Sequence, residues 1–410
     1  MRVLLLIPTT SYKTRDFMEA ASRLGVDVAV GTDRRQSLEE EMPGHTLALD
    51  FVDADRAVSD IECFAADHPV HAVIGTDDET TLLATMASDA LGLRHNPVEA
   101  VRSTRNKHRM RRVLTDAGRP GPRFECVPLD EDPRTVAGRT GYPCVLKPLA
   151  LSAGRGVIRA DDPGAFVEAF QRIRTILQDP EIERLKGATD RLIVEQYLPG
   201  QEVALEGLLH DGELQVLALF DKPDPLDGPT FEETLFVTPS RHTQAVQDEI
   251  IDETVLGCRA IGLREGPIHA ELRITDGRPW LIEIAARTIG GLCSRTLRFG
   301  TGMSLEELVL RHALRMGTDN IQRESSAAGV MMLPIPRPGI LKEVKGLKAA
   351  SKGPHIEEIT ISLHKGAELK PLPEGHRYLG FIFARAETPK TVERALRKAH
   401  QDLEIEIESP

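Results

Sequence analysis

The chain has 410 residues, of which 41% are hydrophobic and 28% are charged, and its formal net charge is −12. This length exceeds one small core and suits two to four subdomains. The acidic balance and the aromatic content of 4% argue against a nucleic-acid-binding face, which needs basic and stacking side chains.

Neither a membrane span nor an export signal is expected. The sequence has no apolar run near the roughly 18 residues that a membrane span needs. The apolar run that follows Met1 and Arg2 is short and lacks a cleavage site, so we expect a first strand and not a signal peptide. Five dispersed cysteines without a CxxC pair indicate reduced thiols, and we therefore expect a cytoplasmic protein.

Residues 1–95 alternate predicted strands and helices, a pattern typical of a small doubly wound α/β domain. The predicted strands are Val3–Ile7, Val26–Val30 and Ala72–Gly75, and the predicted helices are Arg15–Leu24, Val58–Asp67 and Thr80–Leu91. Ligands in such sheets lie at the carboxyl ends of the strands, here Thr9–Ser11 and Gly75–Asp78. No GxGxxG motif supports a dinucleotide site, and ordinary strand-to-helix turns are the alternative.

Residues 96–190 contain two features that suit an anion. A single helix predicted over Val101–Ala117 is strongly basic, which indicates either a solvated face or an anion site. A strand then delivers Lys147, and the small-residue loop Ser152–Gly156 follows it. Backbone N–H groups of such a loop can close on phosphate oxygens while the lysine supplies a charge. The loop is not a Walker A motif, and a plain hairpin turn with a snorkelling lysine is the alternative.

The second half of the chain predicts a strand-rich region followed by a small α+β cap. The predicted elements are a strand at Arg191–Leu198, a hairpin of Glu202–Leu209 and Glu213–Phe220, a loop over Asp221–Pro239, and helices at His242–Ile261 and Ser304–Met316. Prolines and glycines in Met331–Gly339 mark a boundary. We therefore predict four units, at residues 1–95, 96–190, 191–330 and 331–410.

The stretch 267–291 predicts two strands of a hairpin with one polar face. A two-residue turn would pair Glu271 with Ile282 and mix the faces. A three-residue loop over Asp276–Arg278 places Glu271 opposite Glu283 and keeps the apolar residues on one side, so we predict that loop. Like charges placed opposite each other usually need a cation or a shared proton. Two solvated glutamates on an exposed face are the alternative.

The candidate residues occur in a recognisable order along the chain. They are the basic helix with Lys107, then Lys147 with its loop, Val194–Leu198, Glu271 and Glu283–Arg287. This order resembles the ATP-grasp superfamily. Within it, the run Glu283–Gly291, the position of His269 and the extra C-terminal domain look most like the L-amino-acid ligases, with carnosine synthase as a relative. The resemblance implies an ATP-grasp fold with an N-terminal doubly wound (pre-ATP-grasp) domain and a small C-terminal α+β domain.

The resemblance also implies ATP and Mg²⁺ as cofactors, with Mn²⁺ as an alternative metal. The implied ATP-binding residues are Lys107, Lys147, Ser152, Ala153, Gly154, Gly156, Glu195, Gln196, Tyr197, Leu198 and Glu202. In that set the linker from Glu195 to Leu198 contacts adenine, and Glu202 is a candidate for the ribose hydroxyls. The implied metal ligands are Glu271 and Glu283. The implied catalytic residues are Arg287 and His269, and substrate would contact Arg287, Gly290 and Gly291.

One position departs from the family pattern. Ala285 stands where a further metal ligand, asparagine, is common, so water or both oxygens of Glu283 would have to fill that place.

The implied function is an ATP-dependent carboxylate–amine ligase that joins two amino acids or related small acids and releases ADP and phosphate. Other ATP-grasp reactions, of the biotin-carboxylase or purine type, and a non-catalytic ATP-binding module are the alternatives. The expected partners are small amino-acid or carboxylate substrates, with no nucleic acid and no membrane. A homodimer is left open.

Overall fold

The structure is a computed structural model, which describes residues 1–34, 44–183, 189–318 and 321–409. These residues form an N-terminal parallel sheet, a four-stranded antiparallel sheet, an eight-stranded antiparallel sheet and a small three-stranded sheet. The predicted combination of α/β and α+β architecture is confirmed. None of the described helices has the length and apolarity that crossing a membrane would require.

The N-terminal sheet is parallel, with strand order β3-β2-β1-β4. Its elements are β1 (Arg2–Leu6), α1 (Thr14–Leu24), β2 (Asp27–Thr32), β3 (Thr46–Ala48), α2 (Ala54–Asp67), β4 (Ala72–Gly75) and α3 (Asp78–Ala90). The central strand β1 is buried on both faces, as expected of a parallel strand between helix layers. The short strand β3 was not predicted, because its three half-buried residues form no apolar run long enough to detect.

Two helices lead from this sheet into the next one. They are α4 (Val98–Thr104) and α5 (Lys107–Asp116), so the single helix predicted over Val101–Ala117 is wrong. Asn106 breaks it, because its side chain accepts a hydrogen bond from the backbone N–H of Arg109 and caps the new helix. Lys107 therefore becomes the first residue of α5.

The four-stranded antiparallel sheet has the order β5-β8-β6-β7. Its region contains β5 (Phe124–Pro128), α6 (Pro133–Arg139), β6 (Cys144–Pro148), β7 (Ile158–Ala160), α7 (Pro163–Leu177), α8 (Pro180–Glu183) and β8 (Arg191–Gln196). Helix α7 covers one face with buried aromatic and aliphatic side chains, including Phe166 and Phe170. The loop Ser152–Gly156 connects β6 to β7, at the open edge of this unit.

The eight-stranded antiparallel sheet has the order β13-β12-β9-β10-β11-β14-β18-β16. Its first members are β9 (Gln201–His210), β10 (Glu213–Asp221), β11 (Leu235–Thr238), α9 (Gln244–Ile261), β12 (Gly266–Thr275), β13 (Arg278–Ala285) and α10 (Leu305–Ala313). A short 3₁₀ turn lies at Cys293–Thr296. The predicted hairpin of β9 and β10 is confirmed. The prediction of a continuous loop over Asp221–Pro239 is wrong in its last part, because β11 lies there.

The C-terminal segment completes this sheet and adds a small one. Its elements are β14 (Ala327–Leu333), β15 (Gly339–Lys345), α11 (Leu347–Ala350), β16 (Ile356–Ile361), β17 (Glu368–Leu369), β18 (Gly380–Ala386), α12 (Pro389–Gln401) and β19 (Glu404–Glu408). Strand β14 pairs with β11 on one side and β18 on the other, so the sheet continues across the predicted boundary at residue 331. The division into four units stays a prediction.

The hairpin of β12 and β13 has the predicted pairing of its two glutamates, but its turn differs from the predicted one. Its turn has two residues, Asp276 and Gly277, with φ of 51° and 76°, so the predicted three-residue loop is wrong. A bulge at Ile282 then shifts the register by one residue, and Glu271 pairs with Glu283 as predicted. The bulge turns Ile282 towards the same cleft as the two glutamates.

Candidate active site

A deep cleft lies where the sheets meet, and each of the four predicted units contributes residues to it. Thr10, Ser11, Asp77 and Asp78 come from the strand ends of the N-terminal sheet, which confirms that those ends face the cleft. Lys147 and the loop Ser152–Gly154 come from the four-stranded unit. The hairpin of β12 and β13 supplies the floor, and His376 to Tyr378 come from the C-terminal segment.

The carboxylates of Glu271 and Glu283 project from neighbouring strands into this cleft. Glu283 Oε2 lies 3.6 Å from Lys107 Nζ. Glu271 Oε1 lies 2.7 Å from Lys222 Nζ and 3.5 Å from His269 Nε2. Burial opposes ionisation of Glu271, but Lys222 and His269 hold its pKa well below its usual range. The pair offers the hard oxygen ligands that Mg²⁺ prefers.

Lys222 is a buried cation surrounded by three carboxylates. Its Nζ atom lies 2.7 Å from Glu202 Oε1 and 2.7 Å from Glu271 Oε1, and it also donates to Glu233. Burial alone would lower the pKa of Lys222, but the three glutamates raise it well above the usual value. Burial and the neighbouring Glu271 raise the pKa of Glu233 to about 8, against the effect of Lys222.

His269 lies beside the glutamate pair and is held by a second buried carboxylate. Its Nδ1 contacts Glu206, whose other oxygen accepts a hydrogen bond of 3.1 Å from the Ile289 backbone N–H. Burial alone would lower the pKa of His269, but Glu206 and Glu271 raise it to about 9. The two carboxylates thus favour the imidazolium form, which suits a fixed cation better than a proton acceptor.

Lys147 reaches the cleft from β6 and pairs with Glu195. Its Nζ lies 2.6 Å from Glu195 Oε2, while Arg111 Nε lies 2.8 Å from Glu195 Oε1. Burial opposes ionisation of Glu195, but Arg111 and Lys147 lower its pKa to about 2. Arg111 also donates to the backbone carbonyls of Leu281 and Ile282, at 2.9 and 3.0 Å. The contacts tie helix α5 and the four-stranded sheet to the hairpin that carries Glu283.

The second predicted lysine, Lys107, lies at the amino end of α5. Its Nζ donates to the Leu151 carbonyl at 2.7 Å, just before the loop Ser152–Gly156. The loop itself turns sharply, because Ala153, Gly154 and Gly156 have φ of 54°, 70° and 71°. Both lysines and the loop therefore line the same cleft as the glutamate pair.

The predicted adenine linker follows β8 along the cleft wall. The backbone N–H groups of Gln196 and Tyr197 donate to the carbonyls of Arg123 and Pro143, at 2.8 and 3.0 Å. Within the described parts of the chain the Leu198 N–H has no acceptor, so it is available to a ligand. The Glu195 carboxylate is held by Arg111 and Lys147, and its backbone lies in β8 between β5 and β6.

Glu202, the ribose candidate, is committed to cations of the protein. Its Oε1 lies 2.7 Å from Lys222 Nζ, and its Oε2 lies 3.0 Å from Arg273 Nε. Arg273 also donates to the Leu198 carbonyl at 2.8 Å. The Glu202 carboxylate lines the cleft while Lys222 and Arg273 hold it in place.

Arg287 connects the floor of the cleft to the N-terminal sheet. Its NH2 atom lies 2.6 Å from Asp78 Oδ2, and Arg105 NH1 lies 3.1 Å from Asp78 Oδ1. Burial opposes ionisation of Asp78, but the two arginines hold its pKa far below the usual range. Gly290 and Gly291 follow Arg287 in the cleft wall. The predicted roles of these residues in catalysis and substrate binding stay predictions.

Sequence reasoning missed several residues that build this site. Lys222 and Glu233 lie in the stretch predicted as loop. Buried Arg111 was one of many basic residues in the helix that was predicted to form either a solvated face or an anion site. Counting the β9–β10 register from its turn would place Lys222 opposite Gln201. A register shift between Val216 and Ala218 moves it next to Glu202 instead, where the backbone N–H of Lys222 donates to the Glu202 carbonyl. Lys13 was also missed; it is fully buried and donates to the Thr76 carbonyl at 2.9 Å.

Three stretches of the chain match known domain families. Residues 140–296 match the ATP-grasp domain, residues 18–95 the ATP-grasp N-terminal domain, and residues 331–408 the L-amino acid ligase C-terminal domain 2. The chain carries the domains of an ATP-grasp protein. The match of residues 331–408 agrees with the predicted resemblance to the L-amino-acid ligases.

Two curated ATP-grasp relatives illustrate the similarity. Alanine–anticapsin ligase of Bacillus subtilis (strain 168) is 27% identical over 271 residues, which are 62% of this chain and 56% of the relative. Dapdiamide A synthase of Enterobacter agglomerans is 28% identical over 230 residues, which are 55% of this chain and 52% of the relative. The chain thus spans about half the length of these relatives.

A solved structure shows the same fold over the whole chain. The L-amino acid ligase from Bacillus licheniformis superposes with a TM-score of 0.83 at 24% identity, covering 100% of this chain and 99% of that one. The predicted ATP-grasp fold is therefore confirmed, including its N-terminal and C-terminal parts.

Proposed function

We propose that this protein is an ATP-dependent carboxylate–amine ligase, which joins two amino acids or related small acids through an acyl phosphate. The observation that carries the proposal is the cross-strand pair Glu271 and Glu283, which lines one cleft together with Lys107 and Lys147. Similarity to amide-forming ligases supports the type of product.

ATP would lie between the lysines and the hairpin. The Leu198 N–H and neighbouring backbone groups would bind adenine, and the loop Ser152–Gly156 would cover the phosphates with its N–H groups. Lys107 and Lys147 would neutralise phosphate charge. Glu202, held by Lys222 and Arg273, remains the candidate for the ribose hydroxyls.

The residues of the floor fit a divalent cation. Glu271 and Glu283 would hold Mg²⁺, with Mn²⁺ as an alternative, and the cation would neutralise charge on the phosphates and on the transferred phosphoryl group. Ala285, which pairs with His269 in the ladder, supplies no oxygen ligand from its side chain. The Lys222 ammonium orients the Glu271 carboxylate from the protein side.

The reaction would proceed in two displacements. A substrate carboxylate oxygen attacks the γ-phosphorus and ADP leaves; an amine nitrogen then attacks the acyl carbon and phosphate leaves, as the nitrogen loses its proton. Arg287 would orient the acyl phosphate, and Gly290 and Gly291 would leave room for the substrate backbone. His269, protonated and fixed by Glu206, would stabilise negative charge next to Glu271.

The test is release of ADP and phosphate from pairs drawn from a panel of L-amino acids, with the product mass recorded. We expect release that requires both partners and yields an amide. Release driven by bicarbonate without an amine would instead favour the carboxylase-type reaction. Tight nucleotide binding with no release for any pair would overturn the ligase proposal in favour of a binding module.

We further propose that the enzyme works in the cytoplasm. All five cysteines are free thiols, and three of them are buried. A homodimer remains a proposal that sedimentation would test.

A further inference from the structure

Nearly all cations that line the cleft are already paired with acidic side chains of the protein. Within the described residues the lysine and arginine pairs are Lys107 with Glu283, Lys147 with Glu195, Arg273 with Glu202 and Arg287 with Asp78. The same cleft exposes further carboxylates at Asp77, Glu79 and Glu233. An additional anionic ligand would therefore meet a surface whose positive charges are largely compensated.

Arg377 is the exception. It lies at the cleft rim on the segment before β18, and it is exposed. In the portion of the chain that the structure describes, no acidic side chain forms an ion pair with it, in contrast to the four paired cations. Its guanidinium is thus available to an anion in the cleft.

The backbone around Arg377 is held on both sides. Upstream, the Pro373 carbonyl accepts from the Gly156 N–H at 2.9 Å, and Glu374 accepts two bonds from Arg172 of α7, at 2.6 and 2.9 Å. Downstream, the Tyr378 N–H donates to the Tyr12 hydroxyl at 3.4 Å. The segment therefore connects the ATP-covering loop to the N-terminal sheet, and Arg377 lies between these two anchors.

We propose that Arg377 binds the carboxylate of the amino acid that supplies the amine. The inference rests on the proposed ligase function and deepens it. The amine donor keeps its carboxylate through the reaction, so this charge needs a partner in both the bound and the product state. A guanidinium binds a carboxylate through two parallel hydrogen bonds, which also fixes the direction of the attached amine. Lys107 and Lys147 are proposed to bind the phosphates of ATP, so Arg377 is the cation that remains for this carboxylate.

The test compares ligands that differ only in the carboxylate. Calorimetry measures binding of a panel of L-amino acids and of the corresponding amides, in the presence of Mg²⁺ and a non-hydrolysable ATP analogue. The Arg377→Met variant keeps the aliphatic stem and removes the charge. We expect it to weaken binding of the acids by about 10- to 100-fold, to leave the amides within about 2-fold, and to leave the affinity for the ATP analogue unchanged.

Two further variants make the result specific. Lys370→Ala removes a cation from the same segment that pairs with Glu368 outside the cleft, and it should change nothing. Arg377→Lys keeps the charge without the two parallel donors and should recover only part of the binding of the acids. Equal losses for acids and amides, weaker binding of the ATP analogue alone, no loss, or no acid binding to the unmodified protein would each overturn the assignment.

Failure of the proposed ligase function can be told apart from failure of the Arg377 assignment. If the unmodified protein binds amino acids in this way but releases no ADP with any pair, the ligase reaction is excluded while the assignment of Arg377 as a carboxylate site stands.

Discussion

Arg111 and Glu195 form an ion pair of 2.8 Å inside the protein, and both side chains are almost fully buried. Helix α5, strand β8 and the Glu283 strand meet at this pair, since the arginine also bonds to the Leu281 and Ile282 carbonyls. The part of the cleft that carries Lys147 and the hairpin that carries Glu283 are therefore joined by one guanidinium.

Removing that guanidinium should destabilise the protein. Arg111→Met leaves the Glu195 carboxylate buried with Lys147 as its remaining partner, and we expect a loss of about 3–5 kcal/mol in the free energy of unfolding. Urea denaturation measures it. Arg112→Met changes the adjacent, exposed arginine and should stay within about 0.5 kcal/mol of the unmodified protein. Equal effects of the two variants would contradict a structural role for the buried pair.

The metal assignment is tested at Glu283. Glu283→Gln keeps the shape of the side chain and removes its charge, so we expect turnover to fall by roughly 100-fold or more. Binding of the adenine nucleotide should persist, because the linker at Leu198 is intact. Glu213→Gln, at an exposed position of β10, is the matched control. An unchanged rate for Glu283→Gln would remove this residue from the metal site.

The tight turn of the loop Ser152–Gly156, which is proposed to cover ATP, is tested at Gly156. Its φ is +71°, and an added Cβ would lie 2.6 Å from Pro148 Cγ. Gly156→Ala should therefore displace the loop and raise the KM for ATP by roughly 10-fold, from strain of about 1–2 kcal/mol plus the clash.

Gly118 supplies the control for this variant. Its φ is +70°, and an added Cβ would meet nothing within 4 Å. Gly118→Ala should cost similar stability through backbone strain without changing the KM for ATP. A rise in KM in both variants would indicate a general loss of structure.

Acid stability should depend on His312 of helix α10. Burial, with Arg94 and His210 nearby, lowers its pKa from 6.5 to about 4. The unfolded chain then binds a proton that the folded protein does not, so stability is lost as the pH falls from about 6.5 to about 4. The loss is about 3 kcal/mol in total. Denaturation midpoints measured across this range should fall less steeply for His312→Gln than for the unmodified protein.

The control for the pH series is His364→Gln, at an exposed position of the C-terminal segment. Its stability should follow the unmodified protein at every pH. If His312→Gln does the same, the buried imidazole does not limit acid stability.

Local patterns were enough to predict many of the elements and the central carboxylate pair. Alternation of apolar residues requires Glu271 and Glu283 to share a face, and the structure satisfies that requirement although the turn has two residues. The pattern did not show that a bulge at Ile282 performs the correction, because either a longer loop or a bulge restores the same faces.

Residues whose burial depends on distant partners could not be predicted from the sequence alone. Lys222 follows an apolar strand but precedes a stretch rich in proline and acidic residues, and its burial depends on Glu202, Glu233 and Glu271 from three other places. The burial of Arg111 likewise depends on Glu195, far along the chain. Strand β11 has four residues, and its pairing with β14 comes from a segment nearly 100 residues away.

The continuity of the eight-stranded sheet determines where related proteins can exchange parts. The match to the C-terminal domain family begins at residue 331, in the middle of β14, which spans Ala327–Leu333 and pairs with both β11 and β18. A chimera joined at residue 331 would build one sheet strand from two parents and disturb both of its ladders. Joining the parents ahead of Ala327 keeps the strand from one parent, so functional exchange of substrate-facing C-terminal segments should succeed there and fail four residues later.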